Sequence, residues 1–296
     1  MQTSALTNPT PLGIPFASKL SGLVGELRES HRDEALMFLG SRSLHAAYLT
    51  GLIRDNGISS TLNRGTFYGF RNRESQLEGI ALIGHAILIE AHSSAALAAF
   101  AEIAKSVKTA HLIMCEESRT DTFWGFYSDG GQEMHHASRH LHLELRWPVE
   151  VTKPSAAPRL AVMDDLALLI PIHAEMALQE SGVDPRVTDP KGFEERYARR
   201  IEQGRTWIWV EGGRVQFKAD VISETPETTY IEGVWVNPEI RRRGYGHSCM
   251  SQLARLLLWR TKSLCVSIND ENPEAISFFK QGGYHMRGVY DTIFLR

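Results

Sequence analysis

Residues 234–246 read VWVNPEIRRRGYG, an order suited to gripping a phosphate chain. An apolar strand, Val234-Trp235-Val236, ends at Asn237-Pro238. Three successive cations follow, Arg241, Arg242 and Arg243. Gly244-Tyr245-Gly246 then opens an amphipathic helical run to Trp259. Glycines remove side chains where backbone must approach a ligand. Amides in the first helical turn point outward at the positive end of the helix dipole, which makes an anion site fit for a pyrophosphate. A solvated basic turn ahead of an ordinary helix would use the same residues, so the GxG pattern alone decides nothing. Two other nucleotide loops are excluded. The chain has no GxxxxGKS/T, and RRRGYG lacks the third glycine of a dinucleotide turn.

Glu232 interrupts the otherwise apolar strand YIEGVWV, on the face of Val234 and Val236 by two-residue alternation. A buried carboxylate has a raised pKa and suits proton abstraction. The alternative is an acid at a strand end that pairs with an arginine. Glu175 and Glu180, in AEMALQESG, suit a solvated helix end better than a site. His135, His136, His140 and His142 cluster on a strand, yet no Cys or carboxylate partner sits at a ligand spacing, so no metal site is expected. There is no GxSxG elbow for a serine hydrolase. Trp207 and Trp209 flank Ile208 in a strand, where sheet packing is the default.

The elements that must position these residues fall in two halves. The 296 residues are enough for two domains, and 43% hydrophobic with 23% charged residues is a globular composition. The net charge of −3 gives no general affinity for nucleic acid. Three widely separated cysteines, Cys115, Cys249 and Cys265, form no disulfide framework and fit a reducing, cytoplasmic setting. No apolar run is long enough to span a membrane, and the proline-bearing N-terminus is expected to be a loose leader. Prolines 148, 154 and 158 mark a linker, so we expect a domain over 1–148, a linker over 149–158 and a second domain over 159–296. The second half is expected to run helix, helix, three strands, helix, strand, helix, strand. The helices cover Asp164 or Asp165 to Ala177, Phe193–Gln203, Gly246–Trp259 and Pro273–Gln281. The strands cover Thr206–Val210, Val215–Ile222, Tyr230–Val236, Leu264–Ile268 and Val289–Leu295. The first half shows a similar order, a hint of two related folds in tandem.

The pattern V-x-V-x-P-x-x-R-x-x-G-x-G over residues 234–246 resembles the acetyl-CoA-binding motif of the GNAT N-acetyltransferases. A second element matches in order: Val266-Ser267-Ile268-Asn269 leads into Asn272-Pro273-Glu274-Ala275, then AISFFKQGGY to Tyr284. The resemblance covers roughly residues 159–296. It implies an α/β fold with a splayed mixed sheet, preceded by a smaller α/β domain of degenerate GNAT-like type that lacks the cofactor turn. It further implies acetyl-CoA as co-substrate. Val234, Trp235 and Val236 would pair with the pantetheine arm, Arg241, Arg242, Arg243, Gly244, Tyr245 and Gly246 would hold the pyrophosphate, and Asn272 and Phe279 would flank the thiol end.

The implied activity is N-acyl transfer, from acetyl-CoA, to a primary amine of a small molecule or a protein. Glu232 is the candidate base, and a backbone N–H near Val234 to Val236 the oxyanion donor. Phe279 stands where many GNATs have an acidic tyrosine, and phenylalanine cannot donate a proton. The competing expectation is therefore a CoA-binding regulatory or scaffold protein without turnover. No metal, nucleic acid or membrane partner is expected; a homodimer is a candidate assembly.

Overall fold

The computed structural model describes residues 23–151 and 156–296. The expected leader and the middle of the expected linker lie outside them. Backbone contacts divide the chain into two units. Of the described residues, the first holds 23–142, 269–271 and 287–296; the second holds 143–151, 156–268 and 272–286. This differs from the contiguous division expected at 149–158. The last ten residues belong with the first unit, and the expected linker lies within the second. Composition could mark a proline-rich stretch, but a strand that pairs with a distant part of the chain leaves no local trace.

The second unit follows the expected order closely. An edge strand β7 (Arg159–Leu160) precedes α5 (Leu166–Ser181), α6 (Pro185–Thr188) and α7 (Pro190–Glu202). Gly182 stops α5 in a left-handed conformation, and Asp189 caps α7 by accepting from the Gly192 N–H at 3.0 Å. Strands β8 (Thr206–Glu211), β9 (Arg214–Glu224) and β10 (Thr229–Val236) form an antiparallel meander. Then come α8 (Tyr245–Leu257), β11 (Leu264–Asn269) and α9 (Pro273–Gln281). Strand β11 lies parallel to β10. Leu169, Ile201, Ile208 and Val215 form a buried core between helices and sheet.

The first unit repeats that order. An edge strand β1 (Val24–Glu26) is followed by α1 (Arg32–Gly40) and α2 (Ala47–Asn56). The meander is β2 (Gly65–Arg71), β3 (Leu77–Gly84) and β4 (Ala86–Ala91). Helix α3 (Ser94–Lys105) leads to β5 (Leu112–Glu116), which is parallel to β4. Helix α4 (Glu117–Tyr127) and β6 (Met134–Leu145) follow. Sequence reading missed α4, whose buried residues are Thr120, Phe123 and Tyr127. Its polar content hides the apolar stripe. The partner of β5 is the chain's final strand, β12 (His285–Leu295), paired antiparallel from Tyr290↔Glu116 to Phe294↔Leu112.

Candidate functional site

The site builds on a failure of strand pairing. Strand β10 pairs with β11 only at Thr229↔Leu264, Tyr230↔Cys265 and Ile231↔Val266. On its other side, Glu232 faces Asp220 and Trp235 faces Lys218, so Gly233 and Val234 together oppose the single residue Ala219. This two-against-one count is a β-bulge, which bends the strand and re-aims its backbone groups. Gly233 carries it with φ +58°, a conformation that other residues enter at a cost. Residues 232–236 are half-buried. A slot therefore opens between the two parallel strands, beside Val234, Trp235 and Val236.

At the end of β10, Asn237 accepts from the Glu239 N–H at 3.0 Å and starts the turn. Arg242, at φ +60°, and Gly244, at φ +83°, bend the chain into α8. Gly244 is the N-cap of α8 and offers no side-chain acceptor to its first turn. Ser93, Asp189 and Asn272 cap their own helices with a side-chain oxygen, whereas α1, α2, α4 and α5, like α8, have no side-chain cap. No side chain caps the start of α8, a position where the positive end of a helix dipole suits an anion. A Cβ at Gly246 would lie 2.9 Å from Val236 Cγ2 and 3.1 Å from Phe278 Cε2, so helix and strand approach closely only with glycine there.

The arginines divide their work. Arg241 Nε donates to the Val236 carbonyl at 3.0 Å, which fixes the turn. Arg242 reaches Glu274 at 2.8 Å. Arg243 is exposed and has no ion-pair partner among the described residues, so it is the cation most available to a bound anion. Tyr245 lies beside Trp209, with ring centroids 5.3 Å apart, which places one tryptophan of β8 against this turn.

Other expected residues take different places. The Asn272 side chain accepts from the Ala275 N–H at 3.0 Å and is occupied as the cap of α9. Phe279 is buried in a small crevice between α8 and α9, its ring edge-on to Tyr284 at 5.1 Å. The ring at the first turn of α8 is Phe278, stacked on His247 at 4.3 Å. The histidines of β6 are spent on packing: His136 stacks on Phe294 at 4.3 Å, and His142 Nε2 lies 3.1 Å from the Leu44 carbonyl. Among the described residues no group of three metal-ligating side chains converges, and no helix is long and apolar enough to cross a membrane.

Glu232 accepts a short hydrogen bond from the Tyr230 hydroxyl. Burial raises its carboxyl pKa above the usual range, against the opposing effects of Tyr230 and Arg200. Glu180, at the end of α5, is also raised, first by burial of its carboxyl and then by the charge of Glu232. Glu180 is nonetheless exposed as a residue, at the helix end that sequence reading took for a solvated one. Glu175 is also exposed and accepts from Gln179 at 3.2 Å. Tyr197 of α7, stacked on His173 at a centroid distance of 3.5 Å, is raised to about 12 by burial. Sequence reading missed His173, Tyr197, Lys218 and Asp220. Only the last two carried a signal, as charges on alternate positions of a strand otherwise bound for the core.

The first unit lacks the equivalent slot. Strands β4 and β5 pair at Ala86↔Leu112 to Leu88↔Met114. Beyond that, Arg42 spans Glu90 at 2.6 Å and Glu116 at 3.0 Å, and Arg119 adds a contact to Glu116 at 2.9 Å. The turn into α3 is short, and Ser93 caps it with a bond to the Ala96 N–H at 3.3 Å. Both the gap and the helix end are filled by the chain itself.

Comparison with known proteins agrees with this architecture. Residues 213–293 match the FR47-like protein family. No curated protein matches the chain at the sequence level. A solved Drosophila protein superposes with a TM-score of 0.68 at 14% identity, over 93% of this chain and 98% of the other. A GCN5-related N-acetyltransferase from Sphaerobacter thermophilus gives 0.58 at 10% identity, over 91% and 94%. A tandem GNAT protein of the clavulanic acid biosynthesis pathway gives 0.53 at 12% identity, over 91% and 97%. The chain shares the fold of these solved structures, and residues 213–293 match the FR47-like family.

Proposed function

We propose that the second unit transfers an acyl group, acetyl in the simplest case, from coenzyme A to a primary amine of a small molecule or protein. The observation that carries this reading is the uncapped start of α8, fed by a glycine-bearing arginine turn, at the mouth of the slot between β10 and β11. The α8 amides and Arg243 would take the pyrophosphate. The exposed backbone of Val234 to Val236 would take the amides of the pantetheine arm. Glu232, directly or through water, would accept the proton from the attacking amine. The amine nitrogen bonds to the acyl carbon, the carbon–sulfur bond breaks, and its electron pair leaves with the thiolate.

Isothermal titration with coenzyme A tests the binding half. Wild type should bind, and Arg243→Ala should weaken binding about tenfold by loss of a charge-assisted contact. Absence of any heat with coenzyme A or acetyl-CoA would overturn the reading. A thiol-release assay over small amines and lysine peptides tests turnover. A second reading, a coenzyme A-binding regulator without turnover, is favoured by the core position of Phe279, which leaves no acid where many relatives of this fold have one. Tight binding without acceptor-dependent thiol release would select it.

A further inference from the structure

A lysine is buried beneath the bulge of β10. Lys218, on β9, is 0% exposed, and Asp220 two residues on is 1% exposed. An interior ammonium costs several kcal/mol unless it is well paired, so sheets do not keep one without compensation. Lys218 Nζ donates to Asp220 Oδ2 at 2.7 Å and to the Gly233 carbonyl at 2.7 Å. Its remaining close neighbour is Met176 Sδ at 3.9 Å. Asp220 is held in turn: Oδ1 accepts from Thr206 Oγ1 at 2.9 Å, while Oδ2 lies 3.5 Å from Arg200 and 3.8 Å from His173 Nδ1. Burial pushes the Asp220 carboxyl up, but Lys218, Arg200 and His173 outweigh it and hold it at about 2. It stays ionised; burial lowers the Lys218 pKa, and the Asp220 charge and hydrogen bond oppose that loss of the ammonium.

The second bond of Lys218 goes to one peptide group, that between Gly233 and Val234. No described peptide bond is cis. In a trans peptide the N–H points opposite to the C=O. Anchoring the Gly233 carbonyl on Nζ therefore aims the Val234 N–H away from the buried cluster. A cation on the carbonyl also polarises the amide and makes its N–H a stronger donor. The fit is close, because a Cβ at Gly233 would lie 2.8 Å from both Lys218 Nζ and Asp220 Oδ2.

We propose that Lys218, anchored by Asp220, is a positioning residue that fixes the Gly233–Val234 peptide so that the Val234 N–H stabilises the acyl carbonyl oxygen as charge develops on it. This rests on the acyl-transfer reading of the site. A preplaced donor of this kind contributes about 10²–10³-fold in rate. Ordinary structural pairing would tie β9 to β10 without altering the electronic state of a bound thioester.

The test is infrared difference spectroscopy of acetyl-CoA labelled with ¹³C at the carbonyl, on the full chain. Bound to wild type, the carbonyl band should fall below its position in free acetyl-CoA. In Lys218→Met it should return toward the free position with affinity retained. With any accepted amine, kcat should fall about 10²-fold while KM for acetyl-CoA holds. If Lys218→Met is insoluble, Gly233→Ala carries the test, since its Cβ displaces the ammonium, and the same return of the band is expected. An equal band shift in wild type and variant, or no shift in wild type that binds acetyl-CoA, overturns the proposal and leaves the acyl-transfer reading standing. Failure of wild type to bind acetyl-CoA at all removes both.

Discussion

At the scale of single residues, the site is a set of ionisable groups held away from the water that would normally solvate them. Glu232 is half-buried and hydrogen-bonded to Tyr230, and burial raises its pKa. A base of this kind is deprotonated only above the ordinary carboxylate range, so kcat/KM should climb with pH over a limb displaced upward. Glu232→Gln should lower kcat about 10²–10⁴-fold and remove that limb, as stopped-time assays across pH would report. The same residue has a stability cost. A carboxyl with a raised folded pKa favours the fold below its unfolded pKa and loses that contribution as pH rises through the folded value. Glu232→Gln should therefore raise the melting temperature at pH 7 while it removes activity. That Glu232 lies in a half-buried strand was legible, because one acid in an apolar run stands out. Lys218 was not read, because its alternation with Asp220 in an apolar strand marks a pair of charges without telling a buried cation from an edge-strand lysine.

At the scale of elements, two helix starts divide two tasks. The start of α8 is open and preceded by arginine, whereas α9 is closed by Asn272. Asn272→Ala should cost about 1 kcal/mol in a denaturant melt through loss of its cap, with little change in coenzyme A affinity. A large loss of affinity without loss of stability would instead place Asn272 in the binding site. The order of elements in the second half was legible, because its strands and helices keep clean two- and near-four-residue periods. The turn was legible because arginine and glycine are conspicuous before a helix. The bulge was not, since Gly233 between Glu232 and Val234 looks like any strand glycine until its register is known.

At the scale of the whole molecule, the last strand settles what a fragment can do. Strand β12 pairs with β5, and Tyr290 and Ile293 are buried. Truncation after Met286 should destabilise the first unit by exposing the edge of β5 and opening its core, which limited proteolysis would detect as early cleavage within 23–142. A fragment of 159–296 would lack residues 143–151 of its own unit and carry a strand that belongs to the other. Tandem organisation was legible only as a repeated order of elements. The exchange of termini was not, because pairing between distant strands is set by tertiary fit. It also bears on synthesis. The half translated first waits for the final ten residues before its sheet is complete, while the half translated later already has all its parts. Until residues 287–296 emerge, the edge of β5 stays open, so the body of residues 23–142 is exposed to mispairing for longer than the second.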